Sequence, residues 1–278
     1  MRSFATIIIL IFMVAYRIGK KLSKDGKGQS LIKIGHRGAA AYCPENTYAS
    51  FNKALELGID YLEIDIQMTK DGEIVVIHDP TVNRTTNAKG RVKDFTLREI
   101  QKLDAGSWFH PTFSNERIPS FSEFLDTYAG KVGLLIELKK PSLYPGIEEK
   151  VASELLKRGL DTGEDDQIIV QSFDQNAMKN FHHLLPKVPI GILVKKAAIN
   201  GLSHKELSSY SNYATYVNPK VTMVNKRLIR RIHHYGFKTM IWTVNKNSDI
   251  RRLKHFSVDG MISDYPDLLS NKKDSSPY

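Results

Sequence analysis

The chain of 278 residues is 41% hydrophobic and 25% charged, enough for one large core or two small ones, with no internal repeat or extended low-complexity segment. Its formal charge of +10 invites a nucleic-acid partner, but the excess sits in two places, +5 within residues 1–30 and +8 within 226–254, and the remainder is slightly acidic. No nucleic-acid motif or aromatic interleaving accompanies it, so nucleic acid is excluded as a partner, and a single cysteine, Cys43, excludes an internal disulfide.

Residues 4–16 form an uncharged apolar run between Arg2 and Arg17. Thirteen residues fit the apolar region of a signal peptide better than a full membrane span, for which about 20 are typical. No small-x-small cleavage site follows, and Arg17, Lys20, Lys21 and Lys24 favour a downstream side that stays in the cytoplasm. Residues 1–30 are therefore expected to be a membrane anchor with a linker, a cleaved secretory signal being the alternative.

From Leu31 onward short apolar runs alternate with helical patterns. Strands are predicted at 31–35, 61–66, 133–138, 167–171, 189–193, 215–218, 238–243 and 260–263, the eight that a closed barrel requires. Helices are predicted over 46–57, over 174–184 from a capping Asp174, and over 225–235 before Gly236. The expected fold is a (β/α)8 TIM-type barrel over residues 31–270, with a β-hairpin and a small insertion, residues 79–130, after the second barrel strand. Residues 271–278 read as a disordered tail.

The polar residues concentrate at predicted strand ends. Tyr61-Leu-Glu63-Ile-Asp65-Ile alternates, so Glu63 and Asp65 share one face and Leu62, Ile64 and Ile66 the other. Asp71-Gly72 signals a tight turn, and a turn centred between these two residues places Asp65 opposite His78 on the returning strand. Glu137 and Lys139 share a face by the same period. His36, Gln171 and Trp242 fall near other strand ends, where active sites of such barrels form. Three carboxylates in one cavity repel one another, so either some hold protons or a cation neutralises them. Oxygen-only ligation by Glu63, Asp65 and Glu137 suits one divalent cation, Ca²⁺ or Mg²⁺. Cys43 lies in a loop between these groups and is given no chemical role.

The motifs His36-Arg37-Gly38, Pro44-Glu45-Asn46-Thr47, Glu63-Ile-Asp65, Thr69-Lys70-Asp71-Gly72 and His78-Asp79 follow one another at short spacings. Further on come Arg84-Thr85-Thr86, Leu103 to Phe109, Ile118-Pro119, Glu137-Leu-Lys139, Gln171-Ser-Phe173, Trp242 to Asn245 and Ser263-Asp264-Tyr-Pro266. In order and spacing this set resembles the glycerophosphodiester phosphodiesterase family over nearly the whole chain after residue 30. The resemblance implies metal-dependent hydrolysis of a small glycerophosphodiester to glycerol 3-phosphate and an alcohol. His36 and His78 would divide the acid and base roles, and Arg37 and Lys139 would hold phosphate oxygens. Glu45, Gln171 and Trp242 would contribute to the substrate site. It further implies that the substrate's own glycerol hydroxyl attacks first, giving a cyclic phosphate that water opens. A lysophospholipase D-type or glycerophosphate-polymer hydrolase on the same site, or a catalytically idle glycerophosphate-binding barrel, are the alternatives. A scavenging role would set the barrel outside the cytoplasm, against the bias of the basic residues.

Overall fold

The computed structural model describes residues 31–163, 167–195 and 202–270; the segments on which the anchor and tail expectations rest, 1–30 and 271–278, lie outside the described residues. Nine strands form: β1 Ile32–Gly35, β2 Tyr61–Met68, β3 Ile74–Val76, β4 Gly133–Leu138, β5 Ile168–Ser172, β6 Ile190–Val194, β7 Tyr216–Pro219, β8 Met240–Ile241 and β9 Gly260–Ser263. Eight of them are parallel in the order β7-β6-β5-β4-β2-β1-β9-β8, and β3 pairs antiparallel with β2. Bridges Tyr216–Lys238 and Lys220–Trp242 bring β7 beside the β8 segment, so the ring is nearly closed. All eight expected strands are present. The one expected over 238–243 contracts to its two central residues, and β2 extends two residues past its expected end to meet β3.

The helices are α1 Tyr48–Glu56, α2 Leu97–Ile100, α3 Phe121–Tyr128, α4 Ile147–Leu156, α5 Gln175–Leu184, α6 His204–Tyr210, α7 Lys226–His234 and α8 Asn247–Lys254. Side chains fix where they start. Thr47, Asp174 and Asn225 accept backbone N–H groups of the first turns of α1, α5 and α7. Among the described residues no helix is long and apolar enough to cross a membrane.

Two sequence expectations need correction. The insertion is shorter than 79–130, because α3 is a crossover helix of the barrel itself. Its Phe121, Phe124, Leu125 and Tyr128 share a core with Phe51 of α1 and Leu62 and Ile64 of β2. The Ser120/Glu123 capping box marks that boundary. Before it, Val82, Val92, Ile100, Ala105 and Ile118 form a small separate core with Val75 and Ile77.

The hairpin register is also shifted by one residue. Ile66 pairs with Val76 and Met68 with Ile74, so Ile77, not His78, faces Asp65, and the Ile77 N–H donates to the Asp65 carbonyl at 2.9 Å. Thr69 and Glu73 close a three-residue loop in which Gly72 sits at φ +81°, a turn followed by a glycine bulge rather than a two-residue turn. His78 reaches the site because the chain leaves the ladder after Val76.

Period-two alternation then builds the interior. Outward-facing Leu62, Ile64, Ile66, Leu134, Ile136 and Val170 meet the helices. Inward-facing Ile34, Tyr61, Leu135, Ile169, Tyr216, Met240 and Ile262 form an apolar floor inside the barrel. Each such side chain contributes on the order of 1.5–3 kcal/mol by leaving water. Two residues further along the same strands come His36, Glu63, Glu137, Gln171, Asn218, Trp242 and Asp264. The strands thus change from apolar to polar at one level, and the site stands on the floor.

Candidate active site

The loop after β1 carries two residues in a conformation that side chains rarely adopt, Arg37 at φ 52° and Asn46 at φ 56°, with Gly38 between them at φ 89°. A Cβ at Gly38 would stand 2.4 Å from Ser50 Oγ, so glycine is required there. The Arg37 N–H donates to Glu63 Oε2 at 2.9 Å, and its carbonyl accepts from the Asn46 N–H at 3.1 Å and the Ser50 hydroxyl at 2.8 Å. Asn46 Nδ2 donates to Asp65 Oδ2 at 3.0 Å. The strained loop is therefore tied to both carboxylates of β2.

Its guanidinium is held as firmly. Arg37 Nη1 donates to Glu45 Oε1 at 2.8 Å, while Nε lies 3.2 Å from Asp65 Oδ2 without the alignment of a hydrogen bond. Glu45 also receives both terminal nitrogens of Arg84, at 2.7 and 2.8 Å. Burial alone would raise the Glu45 pKa, but Arg84 and Arg37 outweigh it and hold the carboxyl below its ordinary value.

Glu63, Asp65 and Glu137 are buried, and each presents a carboxylate oxygen within 4.8 Å of the others. Lys139 Nζ is 2.6 Å from Glu137 Oε1 and 3.6 Å from Asp65 Oδ1. Burial, with the charges of Asp65 and Glu137, pushes Glu63 well above the carboxylate range. Burial also raises Glu137, to about 7, although Lys139 opposes it. Asp65 is held low despite burial, by Arg37, Lys139 and His78. Its Oδ1 is buried with no hydrogen-bond partner. An orphaned anionic oxygen beside two reluctant carboxylates is what a hard cation would satisfy, and an all-oxygen donor set fits that class of ion.

Both histidines are anchored through Nδ1. His36 lies 2.6 Å from Asp264 Oδ1, and the other oxygen of Asp264 accepts from Asn245 Nδ2. The bond to His36 overcomes burial and lowers the Asp264 pKa. His78 lies 2.6 Å from Asp79 Oδ1, and Asp79 Oδ2 accepts from Arg84 Nε at 2.7 Å. Burial, reinforced by the charges of Arg37 and Lys139, lowers the His78 pKa against the pull of Asp65 and Asp79. From β2, Gln67 Nε2 donates to the His78 carbonyl at 2.8 Å. With each Nδ1 committed to a carboxylate, Nε2 is the nitrogen left for proton transfer.

One cavity of about 730 Å³ is lined by eight of the ten residues singled out from the sequence: His36, Arg37, Glu63, His78, Glu137, Lys139, Gln171 and Trp242. Asp65 lies beneath its wall, and Glu45 stands behind Arg37 and Arg84. Trp242 Nε1 donates to the Asn218 carbonyl at 2.8 Å, and the indole meets Phe173 edge to face at 5.5 Å. Gln171 Oε1 accepts from Asn218 Nδ2 at 3.0 Å. Residues missed in the sequence reading are Asn46, Gln67, Asp79, Arg84, Asn245 and Asp264. Five of the six lie inside the motifs already quoted, Gln67 being the exception, but only Asn46 and Asp79 stand directly beside a singled-out residue, Glu45 and His78.

Fold and site together define a barrel enzyme with two carboxylate-anchored histidines, an arginine, lysines and an acidic cluster gathered at one cavity. The model of the glycerophosphoryl diester phosphodiesterase family matches residues 36–268, and the chain belongs to that family. A glycerophosphodiester phosphodiesterase of Caldanaerobacter subterraneus subsp. tengcongensis is 40% identical over 86% of this chain and 96% of its own length. One of Bacillus subtilis is 36% identical over 95% and 94%. An Oleispira antarctica phosphodiesterase, solved in complex with the product sn-glycerol-3-phosphate, is 29% identical and superposes with a TM-score of 0.74 over 86% of this chain and 95% of that one.

Proposed function

We propose that this chain hydrolyses glycerophosphodiesters to glycerol 3-phosphate and an alcohol. The observation that carries the reading is the pair of carboxylate-anchored histidines on one cavity with Arg37, Lys139 and the acidic cluster. Family membership and the product complex of the Oleispira relative support it. An idle binding barrel has no use for two imidazoles each poised by its own carboxylate.

Glu63, Asp65 and Glu137 would hold one divalent cation, Ca²⁺ or Mg²⁺, which when bound neutralises phosphate charge. Arg37 supplies a planar fork and Lys139 a point charge for phosphate oxygens. The lowered pKa of His78 keeps its Nε2 unprotonated near neutrality, which suits the acceptor of the attacking hydroxyl's proton. His36 Nε2 then gives a proton to the departing alkoxide as the P–O bond to the alcohol breaks. When water opens the resulting cyclic phosphate the two histidines exchange roles. Residues 1–30 would hold the barrel at a membrane through the apolar run 4–16 and the basic residues after it.

Release of glycerol 3-phosphate from glycerophosphocholine and glycerophosphoglycerol tests the activity. His36→Ala and His78→Ala should each lose roughly two to four orders of magnitude in turnover with the fold intact. Near-normal turnover in either folded variant removes that histidine from the mechanism. Chelation should abolish activity reversibly, and Glu63→Gln, Asp65→Asn or Glu137→Gln should each raise the cation concentration required. Full activity in metal-stripped protein would sink the metal assignment.

A further inference from the structure

The cations of the site divide into two groups. Three have an acidic partner: Arg37 pairs with Glu45, Arg84 with Glu45 and Asp79, and Lys139 with Glu137. Lys140, Lys195 and Lys220, which follow β4, β6 and β7, line the same cavity. Among the described residues none of these three lies within ion-pair distance of a carboxylate. The acid on their wall, Asp174, is occupied in capping α5, accepting from the Asn176 and Ala177 N–H groups.

Exposed lysines are ordinarily just solvated, but these three converge on one cavity from three strands. Like charges gathered without a counter-ion repel, and an anion placed among them relieves that repulsion. Their place in the barrel adds direction. In the strand order β6 and β7, which Lys195 and Lys220 follow, lie across the ring from β1 and β2, whose ends carry His36, Glu63 and Asp65. Phe173 bridges the two sides, with Lys195 Nζ 4.7 Å and Lys139 Nζ 5.9 Å from its ring centroid. A phosphate held at Lys139 therefore leaves the rest of the substrate directed along the Phe173–Trp242 wall toward the unpaired lysines.

We infer that this lysine side selects glycerophosphodiesters whose leaving alcohol carries a second anionic group, a phosphate in monoester or diester form. The inference rests on the hydrolytic reading above. Its test uses the full chain and compares kcat/KM for glycerophosphocholine, glycerophosphoglycerol, glycerophosphoglycerol bearing a phosphate on its far hydroxyl, and a short glycerophosphate oligomer. At low ionic strength the two substrates with a second anionic group should be preferred over glycerophosphocholine and glycerophosphoglycerol by about tenfold or more, and the preference should shrink as salt screens it. The double variant Lys195→Gln/Lys220→Gln should remove most of that preference while changing kcat/KM for glycerophosphocholine by less than about twofold. A preference for only one anionic substrate identifies the source of the second charge, a free phosphate terminus or a chain diester. No preference for either, or an equal loss by the double variant on every substrate, overturns the inference. Calorimetric binding of the same diesters to the His36→Ala variant separates the two readings. Tighter binding of the anionic diesters without turnover by the native chain would sink hydrolysis and keep the lysine site, and turnover without any charge preference would do the reverse.

Discussion

A carboxylate 2.6 Å from Nδ1 fixes each imidazole's tautomer and orientation, and at His78 it favours the protonated form, so on the proposed mechanism Asp264 and Asp79 are positioning residues for His36 and His78. Asp264→Asn and Asp79→Asn should each lower kcat by an order of magnitude or more with a smaller change in KM. The pH profile distinguishes this role from a structural one. The His78 pKa already lies below 6.5, so its proton is lost at lower pH than from a free imidazole, and the acid limb of kcat/KM should fall below pH 6.5. Removing the Asp79 charge takes away support for the protonated form, so Asp79→Asn should move that limb lower still. An unmoved limb with lowered kcat would assign Asp79 a purely structural part. Both aspartates were visible in the sequence motifs, but their partnership was legible only for neighbours. Asp79 follows His78 directly, whereas Asp264 meets His36 only because β9 and β1 pair across the length of the barrel.

The hairpin shows what turn chemistry can and cannot specify. Connectivity alone required an antiparallel return, and the Asp71-Gly72 signal located the turn. The register turned on whether Gly72 is a turn residue or a bulge, and a slip of one residue exchanges the faces of a strand. Gln67 then does what the ladder does not. Its amide donates to the carbonyls of Ile77 and His78, and Tyr144 donates to its oxygen at 2.5 Å, so one buried side chain clamps the exit of β3. Gln67→Leu would leave two carbonyls and a hydroxyl without that partner. It should destabilise the fold by about 1–3 kcal/mol and lower kcat by releasing His78 from its place. Denaturant unfolding and steady-state kinetics read the two effects. Unchanged kcat in a destabilised variant would show that the clamp serves the fold alone. The insertion's far boundary was misplaced for a related reason: polar loop composition ran on to Ser120, and the capping box there outweighs composition as the signal of a new helix.

At the scale of the molecule, the barrel was readable because strands buried on both faces repeat with period two, and the floor-to-site transition falls at one level in seven of them. The basic segment 226–254 proves to be spread over α7 and α8, whose Leu228, Ile229, Ile232, Ile250 and Leu253 face inward. Seven of its nine cations therefore lie on helices outside the ring, while Lys238 stacks on Tyr216 in the barrel and Lys246 precedes α8. The other basic segment, residues 1–30, precedes β1, which begins at Ile32 and pairs with β2 and β9 through its own residues. Among the described residues every floor and site residue follows Leu31, so the barrel should fold and turn over without that segment. The apolar run 4–16 is too short to span comfortably, but Arg2 and Arg17 can extend their charged ends toward opposite interfaces. Lys20, Lys21 and Lys24 can each add roughly 1 kcal/mol on an anionic surface. A chain beginning near Gln29 should therefore be recovered in the soluble fraction with unchanged kcat on glycerophosphocholine, while the full chain should sediment with membranes and resist extraction by high salt. Recovery of the intact full chain in the soluble fraction would sink the anchor, and a mature chain beginning after Tyr16 would replace it with a cleaved signal. Loss of activity on truncation would show instead that the barrel draws on residues before Leu31. Protease access on intact cells then assigns the side: cleavage of the barrel from outside would place it beyond the cytoplasm despite the basic residues that follow the apolar run.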